Sequence, residues 1–326
     1  MKKNNLSNTT QSNNASKVST VDVSLVVPFY NEAESVDVFF NKLNSVLGKI
    51  DCPLEILCIN DGSSDDTLTR LIKKKEALRS IKIINFSRNF GKDAALTAGL
   101  DFATGKCVIP MDCDLQDPPE LLVEMINKWR DGYDVVLAQR SDRSQDVFLK
   151  RITAHLFYKI YNFLSDVELP ENVGDFRLLD RKVVNVIKTC QERKRFMKGL
   201  FAFAGFKTIA VKYKRPLRKK GESKWNYWKL WNYAIDGITS FSTFPLKIWT
   251  YIGVLIMLLA FARGFWIFFR AMFYGIDVPG YASLMTAILF LSGTQMISLG
   301  LIGEYVGRIY MESKQRPTYV INDIIE

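Results

Sequence analysis

The chain has 326 residues, of which 48% are hydrophobic and 24% are charged, and its net charge is +10. This length suits two average domains, or one large domain with an appendage. The apolar content excludes disorder for most of the sequence. Five cysteines without paired spacing exclude a disulfide scaffold, and a single histidine argues against a structural zinc site. The charge indicates an anionic partner, which nucleic acid, acidic lipid or a phosphorylated substrate would satisfy.

Residues 1–20 are rich in Asn, Ser, Thr and Lys, and they predict a disordered polar tail without a secretory signal. After this tail, short β-rich apolar runs alternate with segments of helical periodicity. The predicted strands are Val23–Pro28, Leu54–Ile59, Ile81–Asn85 and Cys107–Met111. The predicted helices are Glu34–Ile50, Asp65–Leu78 and Ala94–Ala103. Strands that alternate with helices predict a parallel, right-handed α/β sheet.

Polar, acid-rich sequences follow three of these strands, at Pro28–Glu32, Asn60–Ser63 and Asp112–Gln116. Ligands of such sheets bind outside the carboxyl ends of the strands, so we expect the three segments to converge on one site. The first strand is not followed by Gly-x-Gly-x-x-Gly, and the sequence has no Walker-type loop. Both absences argue against a Rossmann dehydrogenase and a P-loop nucleoside triphosphatase.

Asp112 and Asp114 carry the sharpest chemical signal in the sequence. Two carboxylates separated by one residue, where a buried strand leaves the sheet, can face one divalent cation together. Their hard oxygen atoms suit Mg²⁺ or Mn²⁺, with phosphate oxygens and water as further ligands. The alternative is a turn in which an aspartate caps the next helix, because Asp117-Pro-Pro-Glu120 is typical of a helix start.

Two further segments suggest a nucleotide pocket. Asp61 ends the second strand beside Gly62, and its carboxylate could accept hydrogen bonds from a base or a ribose. The alternative role for Asp61 is a local Asx-turn. Arg88-Asn-Phe-Gly-Lys92 follows the third strand and could supply cationic contacts to a diphosphate.

The positive charge is concentrated in one window, Arg193–Lys224, which holds twelve basic residues and one acid. Five aromatic residues follow within Trp225–Tyr233. Basic and aromatic residues side by side suit the headgroup layer of an anionic membrane. A nucleic-acid binder or a solvated basic loop are the alternatives at this point.

Two apolar runs near the C-terminus decide in favour of the membrane. Val278–Gly303 has 26 residues without a charge, which exceeds the ~20 needed to cross a bilayer. Ile248–Phe269 is interrupted by Arg263, so a buried core helix or an interfacial hairpin remains an alternative for this run. The short link between the runs predicts an antiparallel hairpin, and the flanking basic residues predict that both of its ends are cytoplasmic. Nucleic acid drops out as a partner, and the small residues of the second run would allow a homo-oligomer.

Several motifs resemble, in order, those of the inverting family-two glycosyltransferases of GT-A fold. They are Val26-Val-Pro-Phe-Tyr-Asn-Glu32, Ile59-Asn-Asp-Gly-Ser-Ser-Asp-Asp66, Arg88-Asn-Phe-Gly-Lys92, Met111-Asp-Cys-Asp-Leu-Gln-Asp-Pro-Pro-Glu120 and Gly221-Glu-Ser-Lys224. More narrowly, they are similar to the polyprenyl-phosphate glycosyltransferases. The ending Gly300-Leu-Ile-Gly-Glu-Tyr-Val-Gly-Arg308, followed by Arg316-Pro-Thr-Tyr319, resembles the bacterial two-helix bactoprenol branch.

This resemblance implies a role for each matching residue. The metal ligands would be Asp112, Asp114 and Gln116. The nucleotide-sugar contacts would be Pro28, Tyr30, Glu32, Asp61, Arg88 and Lys92, with Arg215, Arg218, Ser223 and Lys224 on a loop that closes over the diphosphate. The acceptor phosphate would bind Arg140 and Arg151, and the catalytic residues would be Asp114 and Asp175, the latter as the proposed base. Because a phosphate monoester has a second pKa of about 6, we expect Asp175 to orient the acceptor rather than deprotonate it.

The sequence therefore predicts a metal-dependent polyprenyl-phosphate glycosyltransferase at the cytosolic face of a bacterial inner membrane. Its partners would be a UDP-sugar, with UDP-glucose favoured, undecaprenyl phosphate and anionic lipid. Alternatives are another UDP-sugar, GDP-mannose, or a non-catalytic membrane subunit. A processive polysaccharide synthase shares the fold, but it would require a Q-x-x-R-W-type segment and more membrane helices, and the sequence shows neither. The expected divisions are a tail (1–20), a GT-A domain (21–224), interfacial helices (225–243), a two-helix transmembrane hairpin (244–306) and a cytosolic tail (307–326).

Overall fold

The computed structural model describes residues 21–141, 159, 161–165, 167–170, 172–190, 192–193, 195–214, 239–240, 242, 244–274 and 280–326. The strands are β1 (Val23–Phe29), β2 (Leu54–Asn60), β3 (Ile81–Phe86), β4 (Cys107–Pro110), β5 (Val135–Arg140), β6 (Val173–Asp180), β7 (Thr208–Tyr213) and β8 (Ile321–Ile325). The helices are α1 (Ala33–Leu47), α2 (Thr67–Ala77), α3 (Lys92–Phe102), α4 (Leu121–Arg130), α5 (Arg181–Thr189), α6 (Met197–Phe203), α7 (Phe244–Tyr274) and α8 (Tyr281–Ser313).

All eight strands form one mixed sheet in the order β7-β5-β6-β4-β1-β2-β3-β8. Strand β1 pairs in parallel with β2 and β4, and β2 pairs in parallel with β3. These four strands read as continuous apolar runs because helices cover both of their faces. Each ends within one residue of its predicted boundary, so the expected mostly parallel α/β sheet is confirmed.

Helix α3 packs unusually close to the centre of the sheet. Its buried residues are small, and a Cβ atom added to Gly99 would stand 2.0 Å from Cγ1 of Val26 on β1. Such a contact is possible only without a side chain at that position. The close approach places the first residue of α3, Lys92, beside the carboxyl end of the central strands.

Four strands were not anticipated from the sequence. Strand β6 is antiparallel to both β4 and β5, β7 is parallel to β5, and β8 is antiparallel to β3. Of these, β5 ends at Arg140 and β6 carries Asp175, so two predicted site residues lie on elements that sequence periodicity did not reveal.

The C-terminal region contains two long helices. Within α7, Leu246–Ile267 spans 22 residues with a hydropathy of 1.8, and none of the span is buried. Among the residues that the structure describes, it is the one stretch long and apolar enough to cross a membrane. Helix α7 continues through Arg263, and its exposure does not fit the alternative of a buried core helix. The predicted run Val278–Gly303 is helical from Tyr281 onward.

After α8 the chain returns to the sheet. Oε1 of Glu312 accepts a hydrogen bond from the backbone N–H of Arg193 at 2.7 Å. The ring of Tyr319 stacks on Phe86 with centroids 5.2 Å apart, and β8 then pairs with β3. The C-terminal end of α8 is thereby joined to the edge of the α/β domain. The predicted tail 1–20 and most of 225–243 lie outside the described residues.

Candidate active site

The loops that follow β1 and β2 interlock at the carboxyl edge of the sheet. The backbone N–H of Asn31 donates to Oγ of Ser63 at 3.0 Å, and the N–H of Ser64 donates to Oδ1 of Asn31 at 2.8 Å. The N–H of Glu32 donates to Oγ1 of Thr67 at 2.9 Å. Pro28 is partly buried in this edge and Tyr30 is exposed beside it. The predicted convergence of the first two strand ends is therefore present.

Asp61 connects this pair of loops to the loop that follows β3. Its side chain is buried, and its carboxylate accepts hydrogen bonds from the N–H groups of Phe90 at 2.7 Å and Gly91 at 3.0 Å. The side-chain amide of Asn89 donates to it at 2.9 Å. Burial raises the pKa of Asp61, against the opposing effect of the backbone donors. Asp61 therefore braces a neighbouring loop instead of forming its own Asx-turn, and its contact with a nucleotide stays a prediction.

Gly62 allows the two loops to touch. Its φ angle is +60°, and an added Cβ would lie 2.2 Å from the carbonyl carbon of Arg88. The guanidinium of Arg88 lies over the ring of Phe90, 4.0 Å from its centroid, on the exposed rim. The loop therefore presents a cation at the place where the sequence predicts a diphosphate contact.

Lys92 lies at the centre of the charged cluster. Its Nζ atom is 2.7 Å from Oδ1 of Asp112, which follows β4, and 2.7 Å from Oδ2 of Asp175 on β6. Burial by itself lowers the pKa of Lys92, but the charges of Asp175 and Asp112 raise it well above its ordinary value. One ammonium group thus links the predicted metal motif to the predicted catalytic carboxylate.

Two acids near this lysine have opposite pKa shifts. Burial raises the pKa of Asp175, but the charges of Lys92 and Lys198 outweigh it and hold that pKa far below its usual range. Burial raises the pKa of Asp93 to about 7, and the nearby charge of Asp175 adds to the effect. At neutral pH Asp175 is therefore ionised, whereas Asp93 lies near its titration midpoint.

The predicted metal motif has suitable donor atoms. Asp112 is partly exposed and Asp114 exposed, and Oδ1 of Asp114 accepts the backbone N–H of Gln116 at 3.1 Å. Among the described residues, no three His, Cys, Asp or Glu side chains form a complete metal site. Two carboxylates and an amide oxygen fit a hard cation that obtains its other ligands from phosphate and water. Helix α4 begins at Leu121 without a side-chain cap, so the helix-cap alternative is not what the structure has.

Arg140 lies next to Gly174, the residue that precedes Asp175 on β6. A Cβ atom on Gly174 would stand 3.7 Å from Nη2 of Arg140. The Nε–H of Arg140 donates to Oη of Tyr213 at 3.4 Å, and the O–H of Tyr213 donates to Oδ1 of Asp117. Burial raises the pKa of Tyr213 to about 12, and the charge of Asp117 contributes. The predicted acceptor arginine is therefore held beside the strand that carries Asp175.

Several predicted residues cannot be compared with this arrangement. Arg151, Arg215, Arg218, Ser223 and Lys224 lie outside the described residues. Conversely, sequence reasoning assigned no role to Asp93, Asp117, Lys198 or Tyr213. Asp117 lies within the Asp112–Glu120 motif, which could have drawn attention to it. Asp93 and Tyr213 carry no local signal, because an acid in the first turn of a helix and a tyrosine in a strand are both common.

Comparison with known proteins matches both halves of this architecture. Residues 24–187 match the model "Glycosyl transferase family 2", and residues 244–309 match the "GtrB C-terminal hairpin". A glycosyltransferase of Synechocystis sp. is 53% identical over 305 residues, covering 94% of this chain and 96% of that protein. A prophage bactoprenol glucosyl transferase homolog of Escherichia coli is 49% identical, covering 93% and 99%. The bactoprenol glucosyl transferase of Shigella phage SfV is also 49% identical, covering 92% and 98%.

The hairpin match and the apolar helix α7 agree with membrane association of the chain. The family match covers the strands whose carboxyl ends form the cluster around Lys92, together with Asp61, Asp112, Arg140 and Asp175. The chain is a transferase that belongs to glycosyl transferase family 2 and carries the C-terminal hairpin of the GtrB type.

Proposed function

We propose that this protein transfers glucose from UDP-glucose to undecaprenyl phosphate at the cytosolic face of a bacterial inner membrane. A phosphate oxygen of the lipid forms a bond to the anomeric carbon of glucose, and the bond from that carbon to UDP breaks. Attack from the opposite face inverts the anomeric configuration. The products are a lipid-linked glucose and UDP.

The observation that carries this proposal is similarity over 92% of the chain to proteins named for the reaction. Bactoprenol glucosyl transferases of several Shigella phages are 48–49% identical to it over about 300 residues. The aligned share of those proteins is 97–98%, which includes both the catalytic region and the hairpin. A donor other than UDP-glucose is the remaining alternative, because pocket shape rather than motif sets sugar specificity.

The donor diphosphate is expected to bind where Arg88 and Lys92 supply positive charge. Asp61 orders the intervening backbone through its hydrogen bonds to Phe90 and Gly91. Pro28, Tyr30 and Glu32 are expected to line the nucleotide side, and Arg215, Arg218, Ser223 and Lys224 to close over the donor. A cationic loop of this kind would exclude water and stabilise charge on the departing UDP.

A divalent cation, Mg²⁺ or Mn²⁺, is expected to be held by Asp112 and Asp114, with Gln116 beside them. When bound, it would neutralise the charge that develops on the diphosphate. The Nζ atom of Lys92 lies 2.7 Å from Oδ1 and 2.9 Å from Oδ2 of Asp112, and so contacts both oxygens of a carboxylate that the cation would need. We therefore expect Lys92 to turn toward the diphosphate when the donor binds.

Asp175 is expected to orient the acceptor phosphate and not to act as its base. The flanking lysines keep its pKa far below neutral, and a carboxylate of such low basicity is a poor proton acceptor. The acceptor phosphate is itself already largely dianionic at neutral pH. Arg140, and Arg151 if it reaches the same place, would bind this phosphate through paired N–H groups.

The hairpin is expected to cross the membrane twice, with α7 and α8 antiparallel and both ends cytosolic. Trp225–Thr243 would lie along the membrane surface as an amphipathic segment and deliver the lipid phosphate to the site. The small residues of α8 would allow helix association within an oligomer.

The direct test supplies radiolabelled UDP-glucose, UDP-galactose, UDP-N-acetylglucosamine and GDP-mannose to the full-length protein in nanodiscs that contain undecaprenyl phosphate. We expect Mg²⁺- or Mn²⁺-dependent transfer from UDP-glucose, and loss of transfer in Asp112→Asn and Asp114→Asn. Transfer from a different donor alone would overturn the assignment of glucose. No transfer from any donor would overturn the proposed reaction and favour a non-catalytic membrane subunit.

A further inference from the structure

We propose that Asp117 and Tyr213 are positioning residues for the acceptor phosphate: they hold the Arg140 guanidinium and tie it to the loop expected to bind the metal. This inference rests on the proposed function, since Arg140 contacts the acceptor only if the acceptor is a phosphate. It adds two residues, neither of them expected to touch a substrate, to the machinery of transfer.

The contacts form a short chain between three elements. Arg140 is the last residue of β5 and Tyr213 is the last residue of β7, and the two are directly paired in the parallel register of these strands. The Nε–H of Arg140 donates to Oη of Tyr213 at 3.4 Å. The O–H of Tyr213 donates in turn to Oδ1 of Asp117, which lies five residues after Asp112 in the same loop.

The direction of these hydrogen bonds is determined by chemistry. An ionised carboxylate only accepts hydrogen bonds, so the single O–H of Tyr213 must point to Asp117. The lone pairs on the same oxygen atom are then directed toward the Nε–H of Arg140. A fixed Nε sets the plane of the guanidinium, and that plane determines how its other N–H groups meet a phosphate.

Burial makes this arrangement rigid. Asp117 is 4% exposed and Tyr213 is 7% exposed, so neither side chain can exchange its partner for bulk water without moving the backbone. The N–H and O–H groups of Ser141 both donate to the backbone carbonyl of Tyr213, at 2.8 and 3.0 Å. The ends of β5 and β7 are therefore fastened together next to the guanidinium.

The position of Tyr213 links the acceptor side to the donor side. Asp117 belongs to the segment that carries the expected metal ligands Asp112 and Asp114. A displacement of this segment would therefore reach Arg140 through two hydrogen bonds, by way of Tyr213.

The competing explanation is that the O–H of Tyr213 only satisfies a buried carboxylate. Removal of the hydroxyl would then lower stability and leave the kinetic constants of the folded enzyme unchanged. The two explanations differ in the KM for the lipid acceptor, which only the positioning role affects.

The experiment compares Tyr213→Phe and Asp117→Asn with the wild type, as full-length proteins in nanodiscs with undecaprenyl phosphate and UDP-glucose. We expect each substitution to raise the KM for undecaprenyl phosphate about tenfold, with less than twofold change in kcat and in the KM for UDP-glucose. The double variant should not exceed the larger single effect, because both residues act through Arg140. Thr104→Val is the matched control, since it removes a hydroxyl that donates to a carboxylate oxygen of Glu55 at 2.9 Å, just before β4 and therefore at the opposite edge of the sheet from Arg140.

An unchanged KM for the lipid, or an equal rise in both KM values, would overturn the inference. So would the same acceptor defect in Thr104→Val. Thermal melts identify a variant that does not fold. If Tyr213→Phe does not fold, the inference is tested with Asp117→Asn, which keeps the side-chain volume. If the wild type itself transfers no glucose to the lipid, the proposed function is wrong. If it does and the variants match it, only the role of Asp117 and Tyr213 is wrong.

Discussion

At the scale of single residues, the site is a set of charges whose protonation states depend on one another. Lys92 contacts Asp112 and Asp175 at 2.7 Å each, and against the effect of burial its charge lowers the pKa of Asp175. Asp93 follows Lys92 in the chain, yet burial and the charge of Asp175 raise its pKa, while Lys92 and Lys198 only partly compensate. The same cluster therefore contains one carboxylate that is hard to protonate and one that is easy to protonate.

The first prediction concerns Asp175. Asp175→Asn should lower kcat by about 10²–10³-fold, because the carboxylate charge that holds the ammonium group of Lys92 in the site is lost. The fall should be uniform across pH 5–9, because the pKa of Asp175 lies below this range and the residue does not titrate within it. The measurement is kcat against pH for both proteins. Loss of an acidic limb in the variant would instead identify Asp175 as the base.

The second prediction concerns Asp93 and stability. Because its pKa is about 7 in the folded state and about 4 in an unfolded chain, folded protein holds a proton that unfolded protein releases. The contribution of Asp93 to the free energy of unfolding must then fall as pH rises from about 4 to about 7, and it stays level at higher pH. Asp93→Asn removes this loss, so it should stabilise the metal-free protein by ~4 kcal/mol at pH 8, from about three pKa units at ~1.4 kcal/mol each, and by nothing near pH 4.

Thermal unfolding at the two pH values measures this difference, and a rise in Tm of about 10 °C is expected at pH 8. Asp131→Asn is the control, because Asp131 is an exposed acid that pairs with Lys128 outside the site. An Asp93→Asn variant whose stability relative to the wild type is the same at both pH values would contradict the shifted pKa.

At the scale of elements, short contacts between loops and helices position the site. Gly99 lets α3 approach β1, and this approach carries Lys92 to the end of β4. Gly62 lets the loop after β2 touch the loop after β3, which Asp61 then holds by its hydrogen bonds. Neither glycine takes part in the chemistry, yet both determine where the charged side chains lie.

The third prediction tests this for Gly62. In Gly62→Ala the new Cβ would lie 2.2 Å from the carbonyl carbon of Arg88, at a φ of +60° that already disfavours a side chain. The loop must move, so we expect at least a tenfold weaker affinity for UDP, measured by titration calorimetry. Gly132→Ala is the control, because Gly132 has a φ of +88° with nothing within 4 Å of the added Cβ. It should lose some stability while keeping its affinity for UDP.

At the scale of the whole molecule, the C-terminal segment couples the hairpin to the catalytic domain. Between the end of α8 at Ser313 and the start of β8 at Ile321 there are only seven residues. Asn85 on β3 donates to Asp323 at 2.7 Å and accepts from Asn60 at 2.7 Å, so β8 is joined to two parallel strands by a ladder of polar side chains. This attachment limits how far the active site can move relative to the hairpin.

The fourth prediction follows from that attachment. Tyr319→Ala removes the stacking on Phe86 and the hydrogen bond to Asp101, so the segment after α8 should become accessible to carboxypeptidase in intact nanodiscs. Transfer to the bilayer-embedded acceptor should fall severalfold while UDP affinity stays unchanged. Tyr310→Ala, which alters an exposed residue of α8, is the control. Protection of the C-terminus in Tyr319→Ala would contradict this coupling.

Features encoded by short-range pattern were predictable from the sequence. Strands β1–β4 were predicted because they are buried on both faces and therefore continuously apolar. Helix α7 was predicted because its sequence is also almost continuously apolar, although the helix is exposed. Arg263 suggested an interruption of this run, but the helix continues through it. Strands β6 and β8 were missed because β6 carries Asp175 and Arg177 among its apolar residues, while β8 is a five-residue edge strand in which Asn322 and Asp323 stand side by side among isoleucines.

The sequence by itself determined the family resemblance, the order of the central strands and hairpin, and the residue types available for metal, diphosphate and phosphate. Each of these features depends on short runs of consecutive residues, which can be recognised without the tertiary structure. Only the tertiary structure decided that Lys92 joins Asp112 to Asp175, that Asp61 braces the loop after β3, and that Asp117 reaches Arg140 through Tyr213. These contacts join residues from 20 to 96 positions apart in the chain, and the strand order and the packing of α3 bring them together.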